Sequence, residues 1–299
     1  MSAVCVLRLV LTSALTAAIA TAAGTEMLAQ AGARERTIFV SALDSRGEPV
    51  EGLSPTDLVI TEDGRRREIL RMSRAIEPMD IVILADNSAA ADRAIPPLRE
   101  GLEDFIGALG PDHQIAIVGL ADRPTILVDY TSNRAQLETA AGRLFAMSSS
   151  GMTLLDALSE VSSGLRRREA TRAVIVPVIT TGVEFTNRHG RDVIREVQQA
   201  GASLHAVVVG FLEYTSFEDR ERAIVLDEGT RATGGQLATV LVESALVPAL
   251  QKLARQLSAQ YKVVYSRPDS LIPPDTTAVT SVRAGVTMRG TPARGQPGA

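Results

Sequence analysis

The 299-residue chain is longer than one small domain requires, and 45% apolar with 22% charged residues describes a globular polypeptide rather than a disordered one. A net charge of -4, no tryptophan and only 3% aromatic residues argue against nucleic acid as a partner, by charge or by base stacking. The single cysteine excludes a disulfide scaffold, a CxxC redox pair and a cysteine-rich zinc site.

Residues 1–30 read as a signal peptide and short leader. Arg8 is the only charge before Glu26, residues 9–20 are apolar or small, and Ala20-Thr21-Ala22 is a small-x-small triplet that suits cleavage. The run is shorter than a bilayer span, so no stable transmembrane segment is expected after cleavage. The chain is therefore expected to be exported, to the periplasm or the outside of the cell envelope. Cys5 precedes the apolar run, which would leave the mature chain without cysteine.

Residues 34–75 read as a small β segment. Strands are expected over 37–42, 58–61 and 68–72, separated by turn residues around Gly47-Glu48-Pro49 and Ser54-Pro55 and by a tight turn at Asp63-Gly64. Three short strands bury little, so a partner domain or returning carboxy-terminal strands should complete them. Arg65-Arg66-Arg67 reads as a solvated hairpin edge.

Residues 78–265 alternate between strands and helices. Residues 80–85 form a continuous apolar strand of the kind covered on both faces, and 92–109 a helix with Ile95, Leu98, Leu102, Phe105, Ile106 and Leu109 at helical spacing. Further strands are expected over 114–120, 126–128, 173–179, 203–209, 236–240 and 261–265. Helices are expected over 134–144, 153–165, 192–200, 219–232 and 244–260. Pro177 suits a strand end or an irregular edge better than a central ladder. This order predicts an α/β fold, a doubly wound and mostly parallel sheet. Residues 266–290 carry two short strands, over 278–283 and 286–288, that rejoin the small β segment. Residues 291–299 read as a flexible tail.

In such a sheet, ligands bind beyond the carboxyl ends of the strands. No GxGxxG or Walker sequence follows any strand, which disfavours a dinucleotide enzyme. The loop Asp86-Asn87-Ser88-Ala89-Ala90 and the segment Gly151-Met152-Thr153-Leu154-Leu155-Asp156 instead place Asp86, Ser88 and Thr153 where hard oxygen donors could meet a divalent cation. Thr153 with Asp156 also fits an ordinary helix cap.

These two segments, with the strand ending at Thr180-Thr181-Gly182, resemble the von Willebrand factor type A domain. Together with the leader Asp57-Leu58-Val59-Ile60-Thr61-Glu62-Asp63-Gly64 and the late Ala232-Thr233-Gly234-Gly235, they are similar to exported bacterial proteins related to that domain. The resemblance implies a metal-ion-dependent adhesion site in which Asp86, Ser88 and Thr153 are ligands. Ala90 and Thr181 stand where a serine and an aspartate are expected, so the site is degenerate. Mg²⁺ or Ca²⁺ would be held weakly, and Glu184 is a candidate to compensate.

Catalysis has less support. His113, His189 and His205 fall in no metal or triad motif, and Ser88 has no assigned base. Carboxylates such as Asp219 and Glu221 read as helix surface. No catalytic residue is assigned. The expected function is a non-enzymatic protein-interaction or adhesion module that binds a protein partner through the top face of the α/β domain, with divalent-cation assistance. A structural scaffold with a vestigial metal site is the alternative, and a hydrolase is the more distant one.

Overall fold

The computed structural model describes residues 33–293 except 213, 269–273 and 275. The expected signal peptide lies outside the described residues. Among them, no helix is long and apolar enough to cross a membrane.

Six strands form the central sheet: β5 (Asp80–Ala85), β6 (Gln114–Gly119), β7 (Thr125–Thr131), β8 (Ala173–Ile179), β9 (Ala202–Val209) and β10 (Gln236–Val240). Their order is β10-β9-β8-β5-β6-β7, parallel except for the edge strand β7. Both faces are covered because the inner strands are continuous buried runs whose successive side chains point to opposite faces. Ile81, Ile83, Ile115 and Ile117 face α1 (Ile95–Leu109), α2 (Arg134–Gly142) and α6 (Leu246–Ser258). Val82, Leu84, Val118 and Ile175 face α3 (Leu154–Arg168) and α4 (Gly190–Gln199). The same side receives Val225 and Leu226, which lie in a π-helical turn, Val225–Gly229, continuing α5 (Phe217–Ile224). The sheet is doubly wound, as the alternation predicts. From β5 the chain runs outward to β6 and β7, then returns to β8 on β5's other side. The carboxyl end of β5 is thus the switch point, where a crevice opens.

Pro177 departs from expectation. It lies in β8, between β5 and β9, opposite Leu84. The β8–β9 register runs from Ile175–Leu204 to Val178–Val207, skipping Val176 and Pro177, so its missing donor falls in a gap of the ladder.

The second part is a small sandwich. One sheet has the order β13-β1-β11-β4, formed by β1 (Ala33–Leu43), β4 (Ile69–Arg74), β11 (Tyr261–Pro268) and β13 (Thr287–Pro292). The other has the order β12-β2-β3, formed by β2 (Leu58–Glu62), β3 (Arg65–Arg67) and β12 (Thr277–Ser281). Ile38, Val40, Leu58, Ile60, Val263 and Val279 form its core. Three expectations are corrected here. Residues 261–265 do not close the α/β sheet: β11 pairs with β1 and β4 instead. Nor do residues 291–292 belong to a loose tail, since the buried Thr291 donates to the Thr233 carbonyl at 2.8 Å. Arg67 is likewise no solvated edge residue, because its Nε lies 2.9 Å from the buried Glu62 carboxylate.

Buried polar contacts fasten the sandwich to the α/β body. Arg172 donates to the carbonyls of Glu77 (2.9 Å) and Leu257 (2.7 Å) and to Gln260, and its guanidinium lies over the Phe39 ring. Gln260 in turn donates to Ser41 Oγ at 3.0 Å. Tyr261 OH donates to the Val50 carbonyl at 3.0 Å, pinning the loop after β1. Tyr261→Phe is expected to cost about 1 kcal/mol in urea unfolding, the net worth of one such bond. A loss below a few tenths of that would mean water replaces it.

Candidate functional site

Three loops meet at the carboxyl edge of the sheet. The first leaves β5. Asp86 N–H donates to the Val178 carbonyl at 2.9 Å, which carries the ladder one residue further. The Asp86 carboxylate is buried. Its Oδ1 accepts from Ser88 N at 2.9 Å, and its Oδ2 accepts from Thr180 N at 2.9 Å and from the Thr180 hydroxyl. Asn87 is turned inward, and its Oδ1 accepts from both Leu120 N and Ala121 N at 2.9 Å.

The second loop precedes α3. Thr153 N and Oγ1 both donate to the Leu120 carbonyl, at 3.0 and 2.9 Å. Leu120 therefore joins the two loops, bonding Asn87 through its N–H and Thr153 through its carbonyl. Met147 N donates to the Asn87 carbonyl at 2.9 Å, a further tie. The expected helix cap is absent: Thr153 makes no side-chain cap bond, and Asp156 pairs with Arg188. Glu184 takes that place, its Oε2 accepting from Leu154 N at 3.2 Å.

The third loop follows β8. Gly182 is required by close approach, since a Cβ there would fall 2.7 Å from the Ala90 Cβ and 3.3 Å from Ser88 Oγ. Thr180, not Thr181, meets Asp86. Thr181 faces the exit of β9, where a Cβ on Gly210 would fall 3.2 Å from its hydroxyl. Glu184 is buried, and burial pushes its carboxyl up to about 7 despite the Thr186 hydroxyl, the Arg222 charge and the Leu154 amide. Its oxygens are used by Leu154 and Thr186.

Arg222, on α5, is buried beneath this loop. It donates to the Gly182 carbonyl at 2.5 Å and to Asp219 Oδ1 at 3.0 Å. Asp219 also accepts from Thr215 and Ser216, capping α5, and Glu221 accepts from Gly190 N at 2.6 Å. Neither acid is plain helix surface. The structure thus joins Asp86 to Ser88 directly and Thr153 to them through Leu120. Asn87, Thr180 and Arg222 are organising residues that the loop motif alone does not reveal.

The donor set suits a hard cation in kind but is short in number. Ser88 Oγ is buried with no hydrogen-bond partner, and Thr153 Oγ1, as a donor to Leu120, keeps its lone pairs. Asp86 supplies one carboxylate. Among the described residues, no group of three or more His, Cys, Asp or Glu could hold a metal ion. The histidines are not gathered either: His205 is buried in β9, while His113 accepts from Met79 N and His189 stands edge-on to Phe217.

Residues 81–183, from β5 to the loop carrying Gly182, match the von Willebrand factor type A domain. The α/β body is a type A-like domain. A von Willebrand factor type A protein from Catenulispora acidiphila is similar in structure, with a TM-score of 0.51 and 12% identity over 89% of this chain and 67% of that one. A mutant of the PilB minor pilin from Streptococcus sanguinis gives 0.46 and 12%, over 62% of each chain. Proximal thread matrix protein 1 from the mussel byssus, with a zinc-occupied MIDAS motif, gives 0.49 and 16%, over 67% of this chain and 49% of that one. This chain therefore spans between half and two thirds of their lengths, and at such identities the likeness is one of fold. No curated protein matches the chain.

Proposed function

We propose that this chain is an exported cell-envelope protein whose type A-like domain binds a protein partner through its top face, the carboxyl edge of the central sheet. The observation that carries this reading is the buried, unpartnered Ser88 hydroxyl beside Asp86 at the switch point. A native structure rarely leaves such a group without a partner, and a bound ligand would supply one. Export is supported by Arg8 and the apolar run over 9–20.

Asp86, Ser88 and Thr153 are the residues that would hold a divalent cation. Bound there, Mg²⁺ or Ca²⁺ would supply positive charge and a coordination position open to a partner oxygen. One carboxylate makes that binding weak, on the order of 10⁻⁴–10⁻³ M.

Two measurements on the full chain test this. A photo-crosslinking side chain at Phe211 or Val183, on top-face loops, should capture an envelope protein that the same group at Ile126 or Leu70 does not. Equal capture at all four sites would remove the top face from consideration. Calorimetric titration with MgCl₂ and CaCl₂ should show weak binding that disappears in Asp86→Ala. Heat unchanged by that substitution would place the cation elsewhere.

A further inference from the structure

We infer that a groove on the flank of the α/β body, between α3 and the edge strand β7, binds a single-chain amphiphile with a zwitterionic head. This site is separate from the top face and does not depend on it.

The groove exists because part of the sheet lacks a cover. α2 packs on β6 and β7 from one face, while α3, on the other face, stands over β5 and β8. Among the described residues no helix lies over β6 and β7 on α3's side, and a cavity of about 640 Å³ opens there. That is the size of a small-molecule site. Its floor is Val82, Ala116 and Val118, and its walls carry Val161 on α3 and Ile126 on β7. Ile126 is 66% exposed, so its hydrocarbon is open to a ligand. The end next to the start of β5 is closed. There Arg168 lies 4.0 Å from the centre of the Tyr130 ring and is held by Asp80 at 3.0 Å.

Gly164 lines the same groove and gives a second, independent observation. It sits inside α3, where glycine weakens a helix. Gly101 and Gly107, inside α1, are required by crowding: a Cβ would press on Leu250 in the first and on Arg134 in the second. At Gly164 a Cβ would meet nothing within 4 Å, and no positive φ demands glycine. Neither packing nor conformation within the chain accounts for it. A ligand seated against the bare helix backbone does.

Charge and shape select the occupant. The lining carries two acids, Asp129 and Glu160, and two bases, Arg167 and Arg168. Arg168 is committed to Asp80. Arg167 bonds only the neutral Ser163 hydroxyl, at 2.8 Å, and neither Asp129 nor Glu160 forms an ion pair among the described residues. Just outside the lining, Arg123 and Glu169 add one charge of each sign. A head of a single sign would therefore meet its like on one wall. A head with both signs can set its anion on Arg167, on α3, and its ammonium on Asp129, on β7. Its hydrocarbon then lies along α3 past Gly164 toward Val161, about 9 Å of helix. The Arg168–Tyr130 bridge stops a polypeptide from running through the groove, whereas a molecule with one head and one tail can end there.

The test titrates the full chain with hexyl- and octylphosphocholine below their micelle concentrations, following the amide chemical shifts of Ile126, Tyr130 and Val161. Both probes should move these amides. Octylphosphocholine should bind up to about fifteenfold more tightly, since each buried methylene is worth about fourfold. Gly164→Leu puts a side chain into the groove where no atom opposes its Cβ, so thermal melting should show a fold kept or stabilised. It should weaken octylphosphocholine at least about tenfold at these amides. Arg167→Gln should weaken it about threefold and leave the dependence on chain length intact. Asp86→Ala should change nothing at this site. Shifts with neither probe, equal affinity for the two chain lengths, or binding unaltered by Gly164→Leu or Arg167→Gln would each overturn the inference. So would octyl sulfate or octyltrimethylammonium moving the same amides as tightly as octylphosphocholine, because the head would then carry no selection. None of these results bears on the top-face partner, so the two readings fail separately.

Discussion

Arg222→Ala is expected to remove about 3–5 kcal/mol of folding stability, the usual cost of deleting one partner from a buried ionic contact. The guanidinium bonds the Gly182 carbonyl and Asp219, and its charge also favours the ionised form of Glu184. Alanine leaves the carbonyl unbonded, Asp219 without its cation and a cavity beneath the loop. Arg222→Met fills the volume but not the bonds, so it should recover only the packing part. Urea unfolding gives the totals. Amide exchange should accelerate first over residues 180–187, ahead of β8 itself. A global loss with no local change in exchange would show that Arg222 supports the core and not the loop.

Two buried groups are expected to give opposite pH dependences. Glu184 has its carboxyl raised to about 7 in the folded chain, from an ordinary 4.5, by burial. The folded state therefore holds this proton more tightly than the unfolded state. The resulting stability is fully present below about pH 4.5 and is lost as pH rises through about 7, a change of up to about 3 kcal/mol. His205 is the reverse. Burial, then the nearby Arg289 charge, lowers its imidazole to about 3 from 6.5, and both ring nitrogens are unpartnered. It borders a cavity of about 230 Å³ that Lys252 also lines, so the charged groups near the ring are cationic. Its contribution is fully present above pH 6.5 and falls by up to about 1.4 kcal/mol per pH unit below that. Between about pH 4.5 and 6.5 the two slopes oppose each other. Glu184→Gln should gain stability relative to the parent chain as pH rises over that window. His205→Leu should gain as pH falls and stay near neutral above it, since no hydrogen bond is lost. Urea midpoints across the range decide. Parallel curves for parent and variant would show that the altered group does not titrate differently on folding.

The α/β fold was readable because its strands are unbroken apolar runs and its helices keep a 3.6-residue spacing. β5 and α1 are examples, and α1 starts only three residues after the expected 92. β11 was not assignable to its sheet. Residues 261–265 follow a helix as the other parallel strands do, and periodicity says nothing about which neighbour a strand will choose. At the site, Asp86, Ser88 and Thr153 could be nominated because loops after strands are informative in this architecture. Thr180 and Arg222 could not. Thr180 looks like any strand-end threonine until it bonds Asp86, and Arg222 looks like helix surface until Gly182 lies above it.

The pairing of β1 carries a consequence for how the molecule is made. Both of its neighbours, β11 and β13, lie almost the whole chain downstream. β1 thus leaves the ribosome long before either partner, and until then it presents two bare edges. The α/β body can assemble meanwhile from contacts between successive elements, but the sandwich closes only once β13 has been made. Any loss of the last thirty or so residues would therefore remove β12 and β13 and bare one edge of β1, not merely trim an end.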